Sequence, residues 1–165
     1  MAERQAHPIA PVFDEMSRIL ILGSFPSVKS REAGFFYGHP QNRFWRVLAA
    51  VLGCAVPVTI DEKRNMLLAH HVAVWDVIAS CEITGSSDSS IRNVVPTDLG
   101  RILAAAPISA IFCNGGTALR LYQKYQQNST GIPAAGLPST SPANAAWTLN
   151  RLVSVWNVIR TELEK

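Results

Sequence analysis

The chain has 165 residues, 48% of them hydrophobic and 16% charged, with a formal net charge of +3. That length fits one domain with a sizeable core, and the composition excludes a disordered chain. No apolar run approaches the roughly 18 residues needed to span a bilayer, and the opening MAERQAHPIA lacks the apolar stretch of a signal peptide. A single cytoplasmic domain over residues 1–165 is expected, with residues 1–14 loosely packed.

Residues 18–24, RILILGS, read as a buried strand of the parallel type. The stretch 25–41 reads as a long loop, and loops of that length are usually functional. A helix follows over 42–53, with Phe44, Val47, Leu48 and Val51 on one face and Gly53 as its stop. A second helix fits 61–71, opened by Asp61. A strand is predicted over 72–79, then a polar loop over 85–90. Thr97 or Asp98 can cap a helix through about residue 106. The strand 109–115 ends in glycine, and the helix 116–126 follows at once. Residues 131–138 form a weaker fourth strand. Ser141-Pro142 then predicts the start of a last helix carrying Leu149, Leu152, Val153, Trp156, Ile159 and Leu163 at a 3–4 spacing.

Strands alternating with helices predict a parallel sheet covered on both faces. Ligands of such folds bind outside the carboxyl ends of the strands. Here those ends carry Gly23-Ser24-Phe25-Pro26-Ser27, Asn114-Gly115-Gly116 and Leu137 to Ser141. No phosphate motif of the GxxxxGK[ST] or GxGxxG type is present, and no GxSxG elbow. Cys54, Cys81 and Cys113 lie 27 and 32 residues apart, too far for a CxxC pair, and read as reduced, buried small hydrophobes. His7, His39, His70 and His71 make no zinc pattern, so no metal and no cofactor is expected.

Residues 17–46 hold Arg18, Lys29, Arg31, Arg43 and Arg46 against Glu32 alone, and residues 83–161 hold six basic residues against Asp88 and Asp98. Both regions suit a polyanionic partner, although a solvated basic face is common. Phe35, Phe36 and Tyr37 are consecutive loop aromatics; one of them could stack on a flat base while the others plug into the core. Asn42 stands at a helix start, where a cap is worth roughly 1 kcal/mol. Asn114 ends a strand, where its amide could read the lactam edge of hypoxanthine or uracil. Asp76 within a strand could anchor a loop, and Asp88 reads as a turn former.

GSFPS (23–27), YGHPQNRFW (37–45), FCNGG (112–116) and LPSTSPAN (137–144) together resemble the uracil-DNA glycosylase superfamily. WDVIASCEITGSSDSSI (75–91) is similar to its DNA-deoxyinosine, or hypoxanthine-DNA, glycosylase branch. The likeness runs over about residues 15–160. It implies an α/β/α sandwich around a four-stranded parallel sheet, and a monofunctional, monomeric enzyme acting on DNA that contains deaminated bases. Two departures favour the hypoxanthine branch: Ser24-Phe25-Pro26 lacks the acid or Asn of the first family motif, and Leu137 stands where several branches carry His.

Catalysis is expected from Asn42, with His39 and the backbone amides near Ser24 and Phe25 as further candidates. Asn42 would orient water or steady the sugar, and His39 is the alternative acid. Tyr37 and Phe36 would stack on the base and Asn114 would read it. Ser27, Lys29, Arg43, Ser139, Thr140, Ser141 and Asn144 would grip phosphates or probe the minor groove. No pair of carboxylates is evident in these loops, so fixed dipoles and positioning would carry the chemistry. A non-catalytic damaged-DNA-binding module and a nucleoside hydrolase-like small-molecule enzyme are the alternatives.

Overall fold

The computed structural model describes residues 2–165. Its centre is a four-stranded parallel sheet in the order β3-β2-β6-β7: β2 is Ile19–Gly23, β3 is Val72–Asp76, β6 is Ala110–Asn114 and β7 is Ala134–Leu137. β2 is fully buried because helices cover both faces, and Ile19, Leu20, Ile21 and Leu22 are each 0% exposed. Burial of each such side chain stabilises the fold by about 1.5–3 kcal/mol. In register, Gly23 faces Asp76 across β2 and β3, and Asn114 faces Leu137 across β6 and β7. The carboxyl ends of all four strands therefore open on one edge.

A second sheet was not legible in the chain. β1 (Glu3–Ala6), β4 (Ile78–Ile83) and β5 (Arg92–Pro96) pair antiparallel in the order β1-β4-β5. The predicted strand over 72–79 is thus two strands: the chain leaves the parallel sheet after Asp76 and enters the other at Ile78. The first residues are also not loosely packed. β1 pairs with β4 from Glu3↔Ile83 to Ala6↔Ser80, and Ile9 and Val12 are buried.

The helices largely follow the apolar spacing. Phe44–Leu52 (α2) ends at Gly53, whose φ of 73° is left-handed. Ile60–Ala69 (α3) starts earlier than predicted because Thr59 and Glu62 form a capping box. Gly116–Tyr125 (α5) packs on β6 and β7. The 25–41 stretch holds a short helix, Val28–Ala33 (α1), capped by the Ser27 side chain. Its single turn and a half is too short to show periodicity. The helix after Thr97 shrinks to Gly100–Leu103 (α4), and a further turn, Gln127–Thr130 (α6), follows α5.

The last helix starts seven residues later than its sequence signals. Thr148 caps Leu149–Trp156 (α7), and Val158–Leu163 (α8) follows. Residues 138–147 remain a loop because other donors occupy the carbonyls a helix would use. The Ser141 carbonyl accepts from the Asn144 amide and from Arg43 Nη2 at 3.0 Å, and the Asn144 carbonyl accepts from Trp147 and from Arg43. Cys81 and Cys113 are buried and Cys54 is only half-buried. Burial pushes the Cys113 thiol up to about 12, so it stays protonated and unreactive.

Candidate active site

A cavity of about 590 Å³ opens at the carboxyl ends of β2, β3 and β6, walled by the loops after β2 and β7. That volume falls in the range of small-molecule pockets. Tyr37, Asn42 and Asn114, which lie far apart in the chain, all line it. So do Ser24, Phe25, Ser27, Phe36, His39, Ser139, Thr140 and Ser141. Lys29, Arg43 and Asn144 do not.

One hydrogen-bonded chain sets the wall. Thr140, 0% exposed, donates its hydroxyl to Asn42 Oδ1 at 2.9 Å and accepts from Asn114 Nδ2 at 3.0 Å, while its amide donates to Asn114 Oδ1 at 3.1 Å. Asn42 Oδ1 also accepts the Phe44 amide at 2.9 Å, just ahead of α2, whose N-cap residue is Arg43. The Asn42 oxygen is thus saturated, and its Nδ2 group, with no partner among the described residues, is left for the cavity. Asn42 is not the helix cap expected, but its half-buried side chain ties the start of α2 to Thr140. Asn114 has one Nδ2 hydrogen and one Oδ1 lone pair engaged with Thr140, which fixes the orientation of its amide and leaves a second donor and a second acceptor site.

Several expected DNA contacts have structural duties instead. Thr140 is buried and its polar atoms are all occupied, so it cannot reach a phosphate. Arg43 donates to the carbonyls of Ser141, Asn144 and Trp147 and so staples the 138–147 loop. Asn144 Nδ2 donates to the Ser139 carbonyl within the same loop. Lys29 lies on the exposed side of α1 beside Glu32, off the cavity. Ser139 and Ser141 accept backbone amides, and Ser27 caps α1, yet all three hydroxyls line the mouth. His39 Nδ1 accepts the Gln41 amide, which places its ring hydrogen on Nε2.

The loop aromatics divide unequally. Phe35 and Phe36 are in the core, and Phe36 presents only a buried flank to the cavity. Tyr37 takes a φ of 51°, a left-handed conformation rare for a tyrosine. Its ring stacks on Phe44 at 3.9 Å between centroids and 13° between planes, so one face is already covered. Its hydroxyl lies buried near Asn114 and Asp76 without completing a hydrogen bond to either. Burial, then the charge of Asp76, holds that hydroxyl far above its usual range despite an opposing pull from Asn114. It is a protonated donor.

Two carboxylates, which the loops did not suggest, line the cavity: Asp76 and Asp88. Asp88 begins a short 3-10 turn over Asp88–Ser90 and accepts the Ser24 hydroxyl at 3.3 Å. Crowding by protein raises its pKa, against the pull of Ser24, Thr117 and Arg120. Asp76 sits deeper, at the last residue of β3, beside Gly23. A Cβ on Gly23 would stand 2.4 Å from Asp76 Oδ1 and 3.0 Å from the Tyr37 hydroxyl. Gly23→Ala is therefore expected to cost about 1–3 kcal/mol, as overpacking in a rigid site does, and to distort the cavity. A chemical-denaturation midpoint equal to that of the parent would contradict this contact.

An α/β/α frame with a cavity at its strand ends, lined by Asn42, Asn114, two carboxylates and a buried tyrosine, defines the class. The Uracil DNA glycosylase superfamily profile matches residues 10–160, and the chain belongs to that superfamily. A relative from Methanosarcina acetivorans named hypoxanthine DNA glycosylase is 32% identical over 149 residues, 90% of this chain and 93% of the relative. A protein of the same name from Methanosarcina barkeri is 34% identical over 92 residues, 55% of this chain and 57% of that one. The solution NMR structure of a Methanosarcina acetivorans protein named for uracil DNA glycosylase superposes with a TM-score of 0.81 at 31% identity, covering 95% of this chain and 97% of the other.

Proposed function

We propose that this chain is a monofunctional DNA glycosylase that hydrolyses the N-glycosidic bond of a flipped deaminated base, hypoxanthine first, with uracil and xanthine as further candidates. The observation that carries the reading is the gathering of Tyr37, Asn42, Asp76 and Asn114 around one cavity in a chain of this superfamily. The relatives' name supports hypoxanthine.

A flipped nucleotide leaves its sugar and phosphates at the mouth and sends its base inward. As the C1′–N bond breaks, the electron pair leaves with the base, the sugar gains oxocarbenium character, and a water oxygen then bonds to C1′ while the proton it sheds passes to the departed base. The Nδ2 hydrogens of Asn42 stabilise the charge that develops on the departing base or hold that water by its oxygen, as preorganised donors do. The Asp88 carboxylate at the rim sits where a cationic sugar would lie. His39 Nε2–H is a second donor at the edge. Ser27, Ser139 and Ser141, which line the cavity, would hold phosphates. An adjoining cleft of about 380 Å³ shares Asp88 and Ser89 and carries Arg92, Arg120 and Lys124, which would supply the basic groups for the backbone.

The test is a single-turnover assay on duplexes holding one hypoxanthine, uracil or xanthine, with free deoxyinosine alongside. Abasic product from the hypoxanthine duplex, weakened by added salt, is expected. Tight binding to that duplex without base release would leave a binding module, and cleavage of the free nucleoside alone would leave a small-molecule enzyme.

A further inference from the structure

Asp76 belongs to none of the loops that shape the cavity, yet its carboxylate forms part of the floor. His7 holds it there. His7 Nδ1 accepts the Ile9 amide at 3.1 Å, so the ring hydrogen is on Nε2, and that N–H donates to Asp76 Oδ2 at 2.7 Å. The two side chains are only 4% and 5% exposed. The other carboxylate oxygen, Oδ1, lies against Gly23 with no hydrogen-bond partner among the described residues. The Tyr37 hydroxyl faces the same point of Gly23, also buried and without a partner.

An ionised carboxylate oxygen only accepts, and a protonated phenol donates. An acceptor beside a donor is the complement of a ring N–H beside a carbonyl, the lactam edge of a deaminated base. Adenine offers the reverse, a ring lone pair beside an amino group, and would set that lone pair against the carboxylate, which can only accept. The base goes deepest because the sugar and phosphates must stay outside, so its edge meets the floor. Asn114, oriented by Thr140, lines the same cavity and is not needed for this pairing.

Resting on the glycosylase reading above, we infer that Asp76 Oδ1 accepts the ring N–H of the flipped base, that the Tyr37 hydroxyl donates to the adjoining carbonyl, and that His7 is the positioning residue that aims the carboxylate. The N-terminal segment is then part of the site, because β1 delivers His7 to it.

The experiment is a cycle of substrate and protein changes read by single-turnover excision. Methylation at N1 of hypoxanthine removes the hydrogen that Asp76 accepts. The parent enzyme is expected to excise 1-methylhypoxanthine about 100-fold more slowly than hypoxanthine, and in Asp76→Ala, where acceptor and crowding are both gone, the two bases should differ by less than about 5-fold. His7→Phe should slow hypoxanthine excision about 10-fold or more, and His7→Gln, whose amide N–H can reach the same oxygen, should restore it to within about 3-fold. An undiminished methyl penalty in Asp76→Ala overturns the inference while leaving the glycosylase reading intact. A parent enzyme that excises no base removes both. Should Asp76→Ala not fold, Tyr37→Phe decides: it deletes only an unpartnered hydroxyl, about a 10-fold loss is expected, and an unchanged rate overturns the pairing.

Discussion

Asn42→Ala is expected to lower single-turnover excision of hypoxanthine at saturating enzyme by about 10²–10³-fold, the loss that follows removal of one preorganised donor from a charge-stabilising site. That corresponds to about 3–4 kcal/mol of transition-state stabilisation. The expectation rests on the division of labour within one side chain. Oδ1 holds the Phe44 amide and the Thr140 hydroxyl, whereas Nδ2 is left for the cavity. Asn42→Asp separates the two duties. It keeps the accepting oxygen and therefore the bonds from Phe44 and Thr140, but it loses both N–H donors and adds negative charge where charge develops on the leaving base. Its thermal midpoint should stay close to that of the parent while its rate falls at least as far as that of Asn42→Ala. An unaltered rate in either variant would exclude Asn42 from the chemistry.

The largest stability loss is expected at Trp156. Its side chain is 0% exposed, meets Phe44 edge-on at 5.9 Å, and donates its indole N–H to the Pro138 carbonyl at 2.9 Å. Trp156→Ala should cost about 3–5 kcal/mol, as deletion of a buried aromatic does, out of the 5–15 kcal/mol typical of a domain. The site should suffer with the fold. Trp156 secures Pro138, two residues before Thr140, and packs on the Phe44 whose amide donates to Asn42. Trp156→Phe should recover most of the packing and still lose about 1–3 kcal/mol for the Pro138 carbonyl left without its donor. Urea denaturation reads both values; a loss below about 1 kcal/mol for Trp156→Ala would show that the 138–147 loop does not depend on this anchor.

The two carboxylates change the expected chemistry. Sugar hydrolases commonly place acids on either side of the reacting bond, and the loops offered none. Asp76 and Asp88 nevertheless both line the cavity, one at the floor and one at the rim. They are separated by the irregular passage through β4 and the serine-rich turn. The floor acid is placed to read the base, and the rim acid to face the sugar.

Much of this was legible in the chain by itself. The apolar runs at 18–24 and 109–115 are buried strands because both faces of a parallel sheet are covered, and that continuity shows in sequence. The glycines and prolines that end those strands marked the edge where Tyr37, Asn42 and Asn114 do converge. Other features were settled only by contacts across long separations. The second sheet depends on β1 finding β4, some 75 residues away, and a four-residue polar strand such as Glu3–Ala6 carries no apolar pattern of its own. The 138–147 loop stays unwound because Arg43, distant in sequence, occupies its carbonyls, although Ser141-Pro142 is a sound local start for a helix. Asn114 looked free because its partner, Thr140, lies on another element. The same holds for Asp76: within a run of apolar residues it is an isolated acid, and it becomes a site residue only when parallel register sets it beside Gly23 and the N-terminal strand brings His7 to its other oxygen. Periodicity and turn chemistry are local and can be read from the chain, whereas the pairing of polar atoms depends on distances that only the folded backbone sets.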